Sequence, residues 1–168
     1  MDYNSQKRTL LTLCTFFAKL IKKDGDEKLL TVNSTQARSD WSSVVDSVVR
    51  DKPIMIKRTR DRVLLANIEL VSDFLEAYKF NATLYTEDDG STTISSDDLD
   101  LVENGKDEKE AKENLAASIL DYAEEYYNDY LFWSRGDRKA HKPYVFKALL
   151  INDVNEIGDE IICRHGEI

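Results

Sequence analysis

Between positions 28 and 78 the spacing of apolar residues alternates between that of a strand and that of a helix. The order of these segments constrains the fold more than any other feature of the chain. Residues 28–32 are a short β-prone run, and the side-chain oxygens of Asn33 and Ser34 suit the start of a helix. Apolar residues then recur at helical spacing, at Ala37, Trp41, Val44, Val45, Val48 and Val49. The pattern predicts a strand followed by one amphipathic helix that ends near Arg50.

Two strand-like runs follow this helix. Residues 53–58 and 62–66 are joined by Thr59-Arg60-Asp61, a separation that predicts an antiparallel hairpin with a basic tip. Asn67 is suited to cap a second helix, on which Val71, Phe74, Leu75 and Tyr78 share a face. The resulting β-α-β-β-α order is too small to bury a good core alone, so we expect it to dimerise.

The second half of the chain has its own pattern. Apolar residues alternate over 80–84, an acidic turn ends at Gly90, and 91–96 completes a second expected hairpin. Asp107 and Glu110 are spaced as a reciprocal cap for a long helix reaching about Trp133. Pro143 suits the first turn of a helix over 144–151, and 160–163 is a short strand candidate. The fold class expected is α+β: the first module, then a second small α+β unit with a long helix.

These patterns predict three regions, 1–28, 29–79 and 80–168. The first is an amphipathic extension, in which the apolar stretch 9–21 is too short to span a bilayer. We expect this stretch to pack on the protein or a partner; membrane association and an upstream start codon that adds residues of little function are the alternatives. Cys14 and Cys163 belong to no metal-binding or redox pair, which indicates reduced thiols in a cytoplasmic protein.

Charge is divided unevenly along the chain. The net charge is −9, but residues 1–79 carry 14 Lys and Arg against 11 Asp and Glu, whereas residues 80–168 carry 9 against 21. The asymmetry suggests two partners of opposite charge, DNA for the first half and a basic protein for the second.

The ordered combination of these segments resembles the Phd/YefM antitoxins of type II toxin-antitoxin systems. The likeness rests on the strand and Ala-Arg helix start within 31–42, the strand 53–58, the charged turn with Arg60 and Arg62, and residues 63–78. It implies a homodimer that places its two helix starts and hairpins on one face, in contact with operator DNA. It further implies a non-enzymatic protein that neutralises a cognate toxin encoded nearby and represses its own operon, without a cofactor.

The resemblance assigns candidate DNA contacts. Arg38 matches the family's Ala-Arg position at the helix start and is a candidate for reading a base edge or a phosphate. Helix-start amides near Ser34 and Thr35 suit a phosphate. Backbone contacts are expected from the basic hairpin, through Lys57, Arg58, Arg60 and Arg62. For any single one of these cations, simple solvation of an exposed side chain is an equal alternative.

Residues 80–168 depart from the short, flexible toxin-binding tail that is usual in that family. The second hairpin with residues 105–111 resembles HicB-type antitoxin domains, whose RNase-H-like sheet is not catalytic. Within the aromatic run 122–133 the candidate toxin-binding residues are Tyr122, Tyr126, Tyr130 and Trp133. The alternative for the same run is core and helix-packing surface.

Enzymatic and metal-binding interpretations find little support. Asp88, Asp89, Asp97 and Asp98 are more typical of turns than of a metal site. Neither His141 nor His165 has a nucleophile or a metal-ligand spacing near it, and a nuclease built from acids alone is the weakest alternative. The main competitor to an antitoxin is a transcriptional regulator without a toxin, whose C-terminal domain dimerises or senses a ligand. A neighbouring gene for a small basic protein would discriminate the two.

Overall fold

The computed structural model describes residues 29–166, so the expected amphipathic extension 1–28 and Cys14 lie outside the described residues. The chain divides into two compact units, with the boundary between Ala77 and Tyr78. Each unit has its own sheet and its own buried cluster. Both are mixtures of helices and strands, which confirms the expected α+β class.

The first unit follows the predicted β-α-β-β-α order, with the first helix in two pieces. Its elements are β1 (Thr31–Asn33), α1 (Ser34–Ser39), α2 (Trp41–Arg50), β2 (Ile54–Arg58), β3 (Asp61–Leu65) and α3 (Ile68–Leu75). The sheet order is β1-β2-β3, in which β1 is parallel to β2 and β2 is antiparallel to β3.

The prediction of one continuous first helix was wrong. Asn33 does cap it, since its side chain accepts a hydrogen bond from the amide of Gln36 at 2.8 Å. The helix breaks at Asp40, whose φ and ψ are −128° and 42°. Ser39 Oγ donates to the carbonyl of Gln36 at 2.9 Å, and short polar side chains of this kind compete with helical backbone bonds. Because of the break, Trp41 leaves the predicted apolar stripe and is 51% exposed.

The hairpin of the first unit is tighter than its sequence suggests. Arg58 pairs with Asp61, so the turn consists of Thr59 and Arg60 alone. Thr59 has φ = +51°, an uncommon conformation for a β-branched residue. Asn67 caps α3 as predicted, accepting from the amide of Glu69 at 3.3 Å, and the helix ends at Leu75 rather than at Tyr78.

The second unit is a four-stranded sheet covered by helices. Its elements are β4 (Phe80–Thr86), β5 (Thr92–Ser96), β6 (Val102–Gly105), α4 (Glu108–Asn128), α5 (Tyr130–Trp133), a 3-10 helix (Gly136–His141), α6 (Lys142–Ile151), α7 (Val154–Glu160) and β7 (Ile161–His165). The sheet order is β6-β5-β4-β7, with β7 parallel to β4 and the other neighbours antiparallel. The sequence patterns had missed β6 and α7.

Local signals fix the start of the long helix. The side chain of Asp107 accepts from the amide of Glu110 at 2.9 Å, as predicted. In a reciprocal cap the Glu110 carboxylate would accept from the amide of Asp107. Here it accepts from the amide of Lys106, at 2.9 Å. A β-carbon at Gly105 would collide with the backbone of Ala111, so this glycine lets the helix start pack directly on β6. The long helix ends at Asn128 instead of Trp133, and α5 continues after a break at Asp129.

Candidate functional site

The sheet of the first unit brings together basic residues from different segments. Its register sets Asn33, the last residue of β1, beside Lys57 and sets Lys57 opposite Arg62. Neighbouring strands lie about 4.8 Å apart, so the start of α1 at Ser34 adjoins the basic end of the hairpin. We call Ser34, Lys57, Arg58, Arg60 and Arg62 the basic end of the first sheet.

The electrostatics of this basic end favour anions. Lys57 and Arg62 are directly opposite each other, and like charges in that arrangement repel. Arg58 and Arg60 are exposed near the same turn, where Asp61 is the one acid among residues 57–62. The four cations of residues 57–62 outnumber this acid, and the phosphate groups of a nucleic-acid backbone are anions at regular spacing.

The structure moves Arg38 from the first turn of its helix to the last. Because α1 is only six residues long, Arg38 stands one residue before its end, and it is exposed. Thr35 is also exposed and Ser34 is half-buried. The Asn33 side chain already accepts from the amide of Gln36, so the free amides of this turn are those of the residues before it.

The aromatic candidates of the second unit form one cluster, but two of them are interior. Tyr122 is 8% exposed and Tyr126 is fully buried, so neither presents its ring as a surface anchor, and a role of these two residues in toxin binding stays a prediction. The Tyr122 hydroxyl lies 2.7 Å from His141 Nδ1, and the Tyr126 hydroxyl donates to the carbonyl of Arg138 at 3.0 Å. Burial raises the pKa of both tyrosines and lowers the pKa of His141.

The other two candidates are half-buried at the edge of that cluster. Trp133 stacks on Tyr126, with ring centroids 6.5 Å apart, and the Arg138 guanidinium lies 4.4 Å from the centre of the Trp133 ring. The Lys142 ammonium lies 5.4 Å from the centre of the Tyr130 ring. These cation-π contacts hold the basic segment 135–142 against α5.

Exposed apolar residues surround the same end of the long helix, and the sequence patterns did not single them out. They are Tyr127 (57% exposed), Leu131 (70%), Phe132 (67%), Phe146 (36%) and Leu150 (40%). An open depression of about 740 Å³ borders them and is lined by residues 131–133 and 135–138. The sequence offered one signal for these residues. Tyr127 and Leu131 are four residues apart, and each directly follows a tyrosine of the aromatic cluster.

Acidic residues considered for metal binding are engaged in the fold. Asp89 accepts from the amide of Ser91 at 2.9 Å in the β4-β5 turn, and this bond lowers its pKa. Tyr144 donates to Asp98 at 2.9 Å, and Arg164 pairs with Asp97 at 3.2 Å. Within residues 29–166 there is no group of three or more His, Cys, Asp or Glu side chains suited to a metal ion. In the same part of the chain, no helix is long and apolar enough to cross a membrane.

A small basic-ended module joined to an acidic α+β unit is the organisation expected of an antitoxin, and comparisons with known proteins identify that class. Residues 29–163 match the PHD-like family model, described as the antitoxin of RelE/RelB toxin-antitoxin systems. The chain therefore belongs to this antitoxin family, and membership implies a toxin partner.

A solved structure agrees with this assignment. It is described as an antitoxin part of a toxin/antitoxin system from Syntrophomonas wolfei subsp. wolfei. The two proteins are 37% identical with a TM-score of 0.78, and the match covers 82% of this chain and 100% of the other. No curated protein sequence matches this chain significantly. The expected antitoxin identity is confirmed, while the likeness of the second unit to HicB domains stays a prediction.

Proposed function

We propose that this antitoxin neutralises its toxin through the second unit and represses its own operon through the first. It acts as a homodimer on promoter DNA, in the cytoplasm, and without catalysis. The single observation that carries the DNA part is the basic end of the first sheet, where the register joins the start of α1 to Lys57 and Arg62. The family supports the toxin part, since an antitoxin has a toxin partner.

The DNA contacts divide into two kinds. Lys57, Arg58, Arg60 and Arg62 belong to one hairpin and are suited to phosphates, which give affinity without sequence information. Arg38 lies outside the hairpin, on the helix α1, and is exposed. We therefore assign it a contact with a base edge or a phosphate. Binding should therefore depend steeply on salt, with the hairpin setting the slope.

Dimerisation would complete the core of the first unit. Within its described part, residues 29–77, four hydrophobic residues are buried, Ala37, Val44, Val48 and Ile54. Four large apolar side chains of the same unit are more than half exposed, namely Trp41, Val49, Val63 and Ile68. A two-fold symmetric partner would cover such residues and would present two basic ends to a palindromic operator.

The first experiment is a mobility-shift assay of the full chain on its own upstream promoter and on unrelated DNA, over a range of salt. We expect promoter-specific binding that weakens with salt. Arg58→Ala and Arg60→Ala should each lower the salt slope by about one, and Arg38→Ala should weaken promoter binding while leaving the dimer intact. Lys52→Ala, an exposed cation outside the hairpin, is the matched control.

Two results would contradict the DNA assignment. Equal loss of affinity in the Lys52→Ala control would mean that only net charge matters. Absence of promoter binding, both alone and with the toxin added as co-repressor, would remove the autorepression proposal and leave the first unit a dimerisation module.

Neutralisation is tested separately, by expressing the product of the adjacent gene with and without the antitoxin and following growth. Growth arrest that the antitoxin relieves is expected. In this proposal Tyr130 and Trp133 are candidate contacts at the surface, supported from inside by Tyr122 and Tyr126. A toxic neighbour that the antitoxin neither binds nor relieves would contradict the proposal. No observation favours the alternative of a regulator without a toxin.

A further inference from the structure

The long helix and the short helix α5 that follows it carry apolar side chains on their solvent side as well as on their core side. Tyr122 and Tyr126 face the core, whereas Tyr127 and Leu131 are 57% and 70% exposed. A single exposed apolar residue is ordinary, but a contiguous group rimmed by charges marks an interaction surface.

Three helices contribute the exposed residues: Tyr127 lies on the long helix, Leu131 and Phe132 on α5, and Phe146 and Leu150 on α6. The Tyr127 and Phe146 rings lie 6.2 Å apart, and Tyr130 lies 6.1 Å from the same Phe146 ring. Leu150 follows Phe146 by one helical turn on α6. We call Tyr127, Leu131, Phe132, Phe146 and Leu150 the 127–150 surface.

Cations border this surface in a way that differs from the rest of the second unit. Elsewhere in the unit most cations are ion-paired with acids, namely Lys79, Lys106, Lys109, Lys147 and Arg164; among the described residues Lys112 is the exception. Arg138 and Lys142 instead stack on aromatic rings, and among the described residues neither Arg135 nor Lys139 has an ion-pair partner. These four cations of the segment 135–142 therefore stand unpaired with acids, although the 21 acids of residues 80–168 far outnumber the 9 bases.

We propose that the 127–150 surface is where the toxin docks, through an apolar segment that carries carboxylates at its edge. The apolar side chains of that segment would cover Leu131 and Phe132, and its carboxylates would pair with Arg135 and Lys139. The inference rests on the proposed function, because it names the contact surface for the neutralisation described above.

A locally acidic segment is compatible with a toxin that is basic overall. The net charge of −12 for residues 80–168 acts at long range and raises the rate of encounter with a basic protein. Side chains in contact instead pair one by one, and here the cations belong to the antitoxin. The two effects are separable because salt screens the long-range field more strongly than close pairs.

The experiment measures the dissociation constant between the full-length antitoxin and the toxin encoded beside it, by titration calorimetry. The Leu131→Ser/Phe132→Ser variant should bind the toxin at least about tenfold more weakly. The control is Val102→Ser/Ile162→Ser, which changes two apolar side chains of similar exposure on the sheet and should alter affinity by less than about twofold.

A second pair of variants tests the charge. Arg135→Glu/Lys139→Glu and Lys109→Glu/Lys112→Glu change the net charge of the chain equally. Only the first pair removes cations in or directly next to the segment 135–138, which lines the depression beside Leu131 and Phe132, so it should weaken toxin binding several-fold more than the second. Equal effects of the two pairs would overturn the proposed carboxylate contact.

The outcomes separate this inference from the proposed function. If the wild-type chain binds no toxin, the proposed function fails. If the wild type binds and the Leu131→Ser/Phe132→Ser variant binds equally well, the docking surface is wrong while the function stands. A changed oligomeric mass with unchanged toxin affinity would make the surface a contact between copies of this chain, and loss of oligonucleotide binding alone would make it a nucleic-acid contact; either result overturns the inference.

Discussion

The two units bury very different amounts of apolar surface. Among residues 29–166, sixteen hydrophobic residues form the buried cluster of the second unit, against four in the first, although the first unit exposes Trp41, Val49, Val63 and Ile68. The stability of a fold follows the apolar surface that it removes from water. We therefore expect the second unit to fold alone, and the proposed dimer would supply a partner surface for the first.

The units also build their functional surfaces by different means. In the first, backbone hydrogen bonds between strands set Asn33, Lys57 and Arg62 side by side. In the second, the repeat of the long helix turns Tyr127 outward while Tyr122 and Tyr126 turn inward, and Leu131 is exposed on the next helix, α5. One tryptophan in each unit, Trp41 and Trp133, allows the two to be followed separately in single-tryptophan variants.

The largest expected effect is on the core of the second unit. Leu115→Ala should lower its free energy of unfolding by about 2–5 kcal/mol, because Leu115 is 1% exposed and its removal leaves a cavity. Leu131→Ala, the same change at a site that is 70% exposed, should cost less than about 0.5 kcal/mol. Urea unfolding followed by Trp133 fluorescence measures both, and similar losses would contradict the contrast between the buried and the exposed apolar residues of the second unit.

The next effect concerns a buried cation of the second unit. Lys147 is 9% exposed and donates to Glu160 at 2.7 Å and to the carbonyl of Tyr78 at 3.0 Å. The bond from Lys147 lowers the pKa of Glu160 below its usual value of 4.5. The stability that this carboxylate contributes is therefore present above pH 4.5 and is lost as pH falls through its lowered pKa.

Glu160→Gln should remove that contribution, about 1–2 kcal/mol at pH 7 after allowance for solvent screening, and should flatten the fall in stability below pH 4.5. Glu156→Gln, which changes an exposed acid on the same helix, is the control. Acid titration of the unfolding free energy makes the measurement. An unchanged slope in Glu160→Gln would mean that the pair contributes nothing to the second unit.

The third effect tests the need of the first unit for a partner. If a dimer completes its core, each tenfold rise in protein concentration should stabilise its unfolding transition by about 1.4 kcal/mol. The transition of the second unit should not move. Thermal unfolding of Trp133→Phe and Trp41→Phe over a hundredfold concentration range reports the two units in turn, and a first transition independent of concentration would refute dimerisation.

The smallest effect concerns the turn at the basic end of the first sheet. Thr59→Gly should stabilise the first unit by about 1 kcal/mol, because glycine adopts a positive φ without the steric cost that threonine carries. Thr92→Gly, in the extended strand β5, should instead destabilise the second unit by a similar amount. Unfolding followed by each tryptophan measures the two changes, and effects of equal sign would contradict the assigned backbone conformation.

Predictions from sequence were correct where one residue and its near neighbours decide the structure. Asn33, Asn67 and Asp107 cap helices, Gly90 has a positive φ in its turn, and Pro143 lies in the first turn of α6. Each of these depends on a contact within a few residues. For the same reason the order of elements in the first unit was predictable.

The missed elements had weak local signals. Helix α7 contains Gly158, and glycine lowers helix propensity. A β-carbon added at Gly158 would lie 3.8 Å from the Ala116 side chain, which is ordinary packing distance. Strand β6 has a single large apolar residue, Val102, and pairs with β5 over four residues. Tertiary packing, rather than propensity, holds both elements in place.

The sequence by itself determined the secondary-structure order of the first unit, the helix caps, the charge division and the family, because all of these depend on residue types and their spacing along the chain. Only the tertiary structure decided which side of the aromatic run is buried. Tyr122 and Tyr126 are interior while Tyr127, Leu131 and Phe132 are exposed, although all five are apolar or aromatic. Apolar residues on every side of a helix leave its orientation to the surface against which it packs, and that surface comes from distant parts of the chain. The neighbourhood of Asn33, Lys57 and Arg62 was likewise set by strand register, which no single segment contains.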